Sequence, residues 1–201
     1  IIIGIVFCIG YVWNWLTKPR FNRGEINADS LKFGPYSYII GDNIFNPARG
    51  HGIQVILPKY LPEIFIDSHN DGRSELPINY ILSGQQLSLE GDFNTYFQVF
   101  CAPEAANMAL TILTPDVMAV LIDASENFDV RIAGKTLQIF SNSKIYRDKD
   151  EQAVLLRVAQ QLIAEIDHKM KSFKDSPSNA IKLKVQTEQA GVKFGKRYFR
   201  S

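Results

Sequence analysis

Cysteine is scarce in this 201-residue chain: Cys8 and Cys101 are the two present. Neither sits in a CxxC or Cys/His pattern, which argues against a disulfide framework and a structural zinc site and fits a reducing compartment. Net charge is nearly absent as well. The 22 basic and 21 acidic residues leave +1, so no global field points to nucleic acid. The sequence lacks a GxxxxGKS/T or GxGxxG phosphate-binding motif and a GxSxG nucleophile elbow. Regular alternation of strands and helices is missing too, which argues against a parallel doubly wound sheet. What remains is ordinary globular material, 46% hydrophobic and 21% charged. A domain of this size buries roughly 70% of its unfolded surface and needs no covalent staples.

Charge is unevenly placed. Residues 176–201 carry Lys182, Lys184, Lys193, Lys196, Arg197 and Arg200 against Glu188, a local +5 that leaves residues 1–175 at −4. Phe194, Tyr198 and Phe199 are interleaved with these cations. The segment reads as a mobile basic tail whose cations are candidate contacts for an anionic leaflet.

The opposite end is apolar. The first thirteen residues carry no charge, and Asn14, Trp15 and Leu16 follow before Lys18, Arg20 and Arg23. Sixteen helical residues reach about 24 Å, short of a hydrocarbon core of about 30 Å. The first residue is Ile rather than Met, so the stretch is expected to be the C-terminal part of a transmembrane helix that begins upstream. Trp13 and Trp15 suit headgroup depth, and the basic cluster behind them places residue 17 onward in the cytoplasm by the positive-inside rule. A secretory signal would need a small-residue cleavage site that the Trp-Asn-Trp-Leu sequence does not offer. A buried core element is the other alternative.

The expected organisation is a membrane segment at 1–16, a juxtamembrane linker at 17–32, a folded domain at 33–175 and the basic tail at 176–201. Within the domain, β-prone residues 36–40 are followed by turn chemistry at 46–50, where His51 also lies between Gly50 and Gly52 as a weak anion-site candidate. Short strands are expected at 53–57 and 64–66, separated by Pro58 and Pro62, with weaker strand signals at 78–82 and 86–90. Residues 95–101 read as the best central strand, covered on both faces, with Tyr96 and Phe100 on one and Phe97, Val99 and Cys101 on the other. Residues 103–110 suit a short helix or an irregular connection, with strand over 109–113 as the alternative. Thr114, Pro115 and Asp116 announce a helix to about Ala124, the Thr hydroxyl serving as cap. Residues 128–132 and 136–140 alternate around Gly134-Lys135, which predicts a hairpin. Leu155, Ala159, Leu162, Ile166, Met170 and Phe173 mark one face of a long helix over 148–173. The fold class is α+β, a mostly antiparallel sheet covered by helices.

Candidate chemistry is thin. Asp67, His69 and Asp71 stand at alternate positions as weak metal-ligand candidates. An EF-hand opening at Asp67 would need an acid where Ile78 stands, and a zinc site would need a further ligand. An Asx-rich turn explains the same residues. Cys101 reads as a core thiol, and Glu90 and Asp92 as a strand end. No catalytic residue and no cofactor is predicted.

The stretch from Leu89 to Phe100, the helix start from Ile112 to Met118 and the segment from Phe128 to Ile132 together resemble an uncharacterised bacterial membrane-anchored domain family, domain of unknown function 3137. The likeness covers roughly residues 87–140. Its motifs are a strand, a cap and a turn, so it brings no catalytic residues. The expectation is a membrane-anchored cytoplasmic binding or scaffolding domain, whose partners are the membrane and an anionic lipid or a protein, not nucleic acid. Alternatives are a metal-dependent hydrolase using Asp67, His69 and Asp71, and homotypic assembly through the long helix.

Overall fold

The computed structural model describes residues 32–40, 43–70, 81–125, 128–141 and 149–185. The expected membrane segment, with Trp13, Trp15, Lys18, Arg20 and Arg23, lies outside them. Among the described residues no single helix is long and apolar enough to cross a membrane.

Among the described residues the chain forms an α+β fold around a five-stranded sheet whose pairings are all antiparallel. The strands are β1 (Lys32–Ile40), β2 (Asn43–Ser68), β3 (Gln86–Leu87), β4 (Phe97–Cys101) and β5 (Asp129–Ser141). Helices are α1 (Phe93–Tyr96), α2 (Ala106–Ile112), α3 (Pro115–Ser125) and α4 (Lys149–Met170). The long strand β2 is the spine: β5 pairs along one edge, while β1 and then β4 share the other.

Several sequence expectations are corrected here. The turn residues at 46–50 belong to β2, where the β1 pairing shifts register between Tyr36–Gly50 and Tyr38–Phe45. Pro47 cannot donate a ladder hydrogen bond and falls inside that irregularity, where no donor is required. Residues 53–57 and 64–66 are two parts of one strand. Between Ile56 and Ile64, β2 takes eight steps where β5 takes four, from Thr136 to Ile132. Pro58 and Pro62 fall in this bulged excursion.

The predicted hairpin at 128–140 is likewise one continuous strand. Val130 and Ile132 are buried on the same face as Leu137 and Ile139, an even-to-odd change that a turn and a bulge both produce. Gly134 stands opposite Leu61 at φ +56°, a left-handed conformation that disfavours side chains. The strand predicted at 95–101 begins at Phe97, because Thr95 and Tyr96 finish the short helix α1. It is an interior strand, paired with β2 on one side and β3 on the other. Phe97, Val99 and Cys101 enter the main core and Phe100 the opposite cluster, but Tyr96, expected on the Phe100 face, ends α1 and packs against the main core.

That main core joins the sheet to the helices. Ile53, Val55, Ile64 and Ile66 of β2 meet Ala109 and Ile112 of α2, Val117 and Leu121 of α3, and Leu155, Leu162 and Ile166 of α4. Burying each large apolar side chain contributes roughly 1.5–3 kcal/mol. The apolar pair Pro103–Ile112 and Pro115–Asp123 bends by 78° and is part of this layer. The apolar stripe of α4 is therefore covered within the chain.

The Thr114 hydroxyl does not make the predicted cap. Its Oγ1 is buried without a hydrogen-bond partner, while its carbonyl accepts from the Met118 amide at 2.9 Å. An unsatisfied hydroxyl carries a desolvation cost that an isosteric methyl removes. Thr114→Val is expected to raise stability by about 1 kcal/mol, seen as a higher urea midpoint at unchanged slope.

Candidate functional site

The second face of the sheet carries a different chemistry. Phe65, Phe100 and Phe140 project from β2, β4 and β5 into a small cluster with Ile81, and Phe65 and Phe140 stack at 6.4 Å. Leu183, 3% exposed, completes that cluster. Residues 176–185 thus lie against the sheet, and the expectation of a mobile tail from 176 onward is corrected for this part. In residues 181–185, Ile181, Leu183 and Val185 are buried or half-buried, and Lys182 and Lys184 are exposed. This is the alternation of a half-buried strand.

The route to this strap is fixed at the bulge of β2. There Lys59 donates to the carbonyls of Met170 and Phe173, both at 2.6 Å. Both carbonyls lie at the C-terminal end of α4, the negative end of its dipole, and that of Met170 also accepts the Phe173 amide at 3.0 Å. The backbone N–H of Tyr60 donates to Asp175 Oδ1 at 2.9 Å, and Lys135 donates to Asp175 Oδ2 at 3.0 Å. Lys135 also lies 4.6 Å from the centre of the Tyr60 ring. The long excursion of β2 is what brings these groups to the end of α4.

The Tyr60 amide first, and the Lys135 ammonium second, hold the Asp175 carboxyl below the usual carboxylate range. Its folded pKa is lower than its unfolded one, so the stabilisation is complete above the ordinary value near about 3.9 and is lost as pH falls through the folded value. On acidification below about pH 4, the urea midpoint of Asp175→Asn is expected to fall less steeply than that of the parent chain.

Beneath the strap lies a buried polar network. Glu63 is 1% and Arg131 8% exposed. Arg131 directs Nε at 2.9 Å and Nη2 at 2.7 Å to the same Glu63 oxygen, Oε1. Its Nη1 donates to Gln138 Oε1 at 3.0 Å, and Gln138 Nε2 donates to Gln54 Oε1 at 3.1 Å. The other Glu63 oxygen, Oε2, accepts the backbone N–H of Leu183 at 3.0 Å. The Glu63 amide in turn donates to the Ile181 carbonyl at 2.8 Å.

A second grip comes from Gln85, 4% exposed and just before β3. Its Oε1 accepts from the Lys184 amide at 2.8 Å and its Nε2 donates to the Lys184 carbonyl at 2.6 Å. One side-chain amide therefore satisfies both backbone groups of a single residue, as a neighbouring strand would. Leu82 N also donates to the Lys184 carbonyl, at 3.0 Å, and Ile81 bridges Val185. The Lys184 side chain reaches Glu104 at 3.2 Å. A cleft of about 220 Å³ opens between the Glu63–Arg131 pair and residues 180–182.

The sequence-nominated residues fare unevenly. Asp67 is 7% exposed near the end of β2, and His69 Nδ1 lies 2.9 Å from the Thr95 carbonyl oxygen. Asp71 lies outside the described residues. Among the described residues no three His, Cys, Asp or Glu side chains gather in a metal-binding group. Cys101 is buried, and burial pushes its thiol pKa up, the opposite of what an activated nucleophile needs. Of the basic candidates, Lys182 and Lys184 lie on the strap, and Lys193, Lys196, Arg197 and Arg200 are outside the described residues. Glu63, Arg131 and Gln85 were not nominated from sequence. The Ile-Lys-Leu-Lys-Val alternation at 181–185 was the available signal for their partner. No family model, curated protein or solved structure matches this chain.

Proposed function

We propose that this chain is a binding or scaffolding module tethered to the cytoplasmic side of a membrane. The observation that carries the binding half is the second sheet face. It holds an extended chain segment through the Glu63 carboxylate, the Gln85 amide and an aromatic cluster, a combination suited to gripping main chain with one apolar anchor. Support for the tether is the uncharged stretch 1–13, the tryptophans at 13 and 15 and the cations at 18, 20 and 23. The basic residues between 193 and 200 add attraction to an anionic leaflet. The resemblance to the membrane-anchored family points the same way.

One observation weighs against the homotypic alternative. The apolar face of α4 is spent on its own core, which leaves that reading without a free stripe there.

The reading is tested by fractionation of cells expressing the chain. It should sediment with membranes and resist a high-salt wash, and a C-terminal reporter should be active in the cytoplasm. Release of intact chain into the soluble fraction would remove the tether.

A further inference from the structure

We infer that the groove on the second sheet face is a docking site for an extended peptide of alternating apolar and basic residues, and that residues 181–185 occupy it as a displaceable internal ligand. The inference rests on the binding-module reading above and names its partner class. The groove's grip is mostly indifferent to sequence. Glu63 engages the backbone of Ile181 and Leu183, and Gln85 engages both backbone groups of Lys184. Any residue with extended backbone presents those same groups.

Selectivity comes from two side-chain positions. Leu183 is buried among Phe65, Phe100, Phe140 and Ile81, so an aliphatic anchor is required there. Lys184 faces Glu104, and the Lys184 ammonium helps to hold the Glu104 carboxyl below its usual range, after that residue's own backbone N–H. A cation is thus favoured directly after the anchor.

The strap is more weakly integrated than the strands beneath it. Its one fully buried side chain is Leu183, and its one bridge in the sheet pattern joins Val185 to Ile81. By contrast, β2 and β5 pair from His51–Ser141 to Ile66–Val130. Segments with few buried contacts open locally at lower free energy than the core. While attached, the strap competes at an effective concentration of about millimolar, so an external peptide meets an occupied groove.

The probe is a capped, fluorescent heptapeptide with the sequence of residues 179–185, Asn-Ala-Ile-Lys-Leu-Lys-Val, tested against the full chain. The Leu183→Ser chain, whose own anchor is lost, is expected to bind it at least about tenfold more tightly than the parent. Adding Gln85→Ala should abolish that gain, and a peptide with Asp in place of its Leu should bind neither chain. Hydrogen exchange of the unmodified protein supplies a second readout, independent of any variant's folding. The Leu183 and Lys184 amides are expected to exchange at least about tenfold faster than those of Val55 and Leu137.

Exchange of all four amides at one common rate would make the strap a permanent layer and overturn the inference. A folded Leu183→Ser chain that ignores the peptide would do the same. A concentration-dependent dimer that swaps straps without taking up peptide would assign the groove to a second copy and also overturn it. None of these results moves the chain off the membrane, and loss of the tether leaves peptide uptake unchanged, so the two readings fail separately.

Discussion

Replacing Arg131 by Met is expected to destabilise the chain by about 3–5 kcal/mol, because it removes the guanidinium that faces the buried Glu63 carboxylate. Glu63 is 1% exposed, and Arg131 makes contacts of 2.9 and 2.7 Å to it. Gln138 would lose the 3.0 Å hydrogen bond from Arg131 in the same step. The reciprocal design separates charge from shape. In the double variant Glu63→Gln and Arg131→Met the buried pair of opposite charges is gone, and most of the loss should return. Urea unfolding of the parent, the single and the double variants reads this directly, since the slope stays constant when only stability changes. A single variant within about 0.5 kcal/mol of the parent, the usual reach of a surface substitution, would mean that the pair is hydrated in solution.

Gly52→Ala is the second large effect. Gly52 sits in β2 opposite Phe140 of β5 and Gly34 of β1. A methyl group there would overlap the Ile139 carbonyl oxygen and come within 2.7 Å of Phe140 Cβ and 2.8 Å of its Cα. These are main-chain and near-main-chain atoms, so a rotamer change cannot relieve the overlap and the two strands must separate. The expected cost lies at the upper end of the about 1–3 kcal/mol typical of overpacking, or above it. Against a total stability of about 5–15 kcal/mol, that should show as a markedly lower thermal midpoint and as aggregation through a loosened sheet. Gly134→Ala is the internal control. Its Cβ would find Tyr60 Cδ1 at 3.9 Å and Ala180 Cβ at 4.0 Å, ordinary contacts, so only the left-handed backbone at φ +56° resists the change. A loss of about 1–2 kcal/mol is expected. Equal losses at the two glycines would show that strain, not overlap, sets both.

The pattern of correct and corrected expectations has a common physical origin. The alternation of Phe97, Val99 and Cys101 against Phe100 and the helical stripe from Leu155 to Met170 were legible because each depends on spacing within one element. Thr114, Pro115 and Asp116 marked the start of α3 for the same local reason, although the hydroxyl found no amide to cap. What was misread were changes of parity and clusters of turn residues. Gly134-Lys135 and the run around Pro47 carry the same local chemistry whether the chain reverses or merely bulges. Only a partner strand decides between those outcomes, and here β2 runs on through the Pro47 cluster and β5 through Gly134-Lys135.

The site followed the same division. Leu183 and its flanking lysines display a strand period, but nothing in those five residues says which surface they will cover. Glu63, Gln85 and Arg131 are scattered along the chain with no spacing in common, so no motif search joins them. The sequence by itself determined α3, α4 and the two-faced strands, together with the apolar and basic ends, because propensity, capping and periodicity act over a few residues. The tertiary structure alone decided that one carboxylate should be shared between an arginine and a strap amide. That sharing depends on strand register and on a four-residue excess in β2, which exist only once the partners have paired.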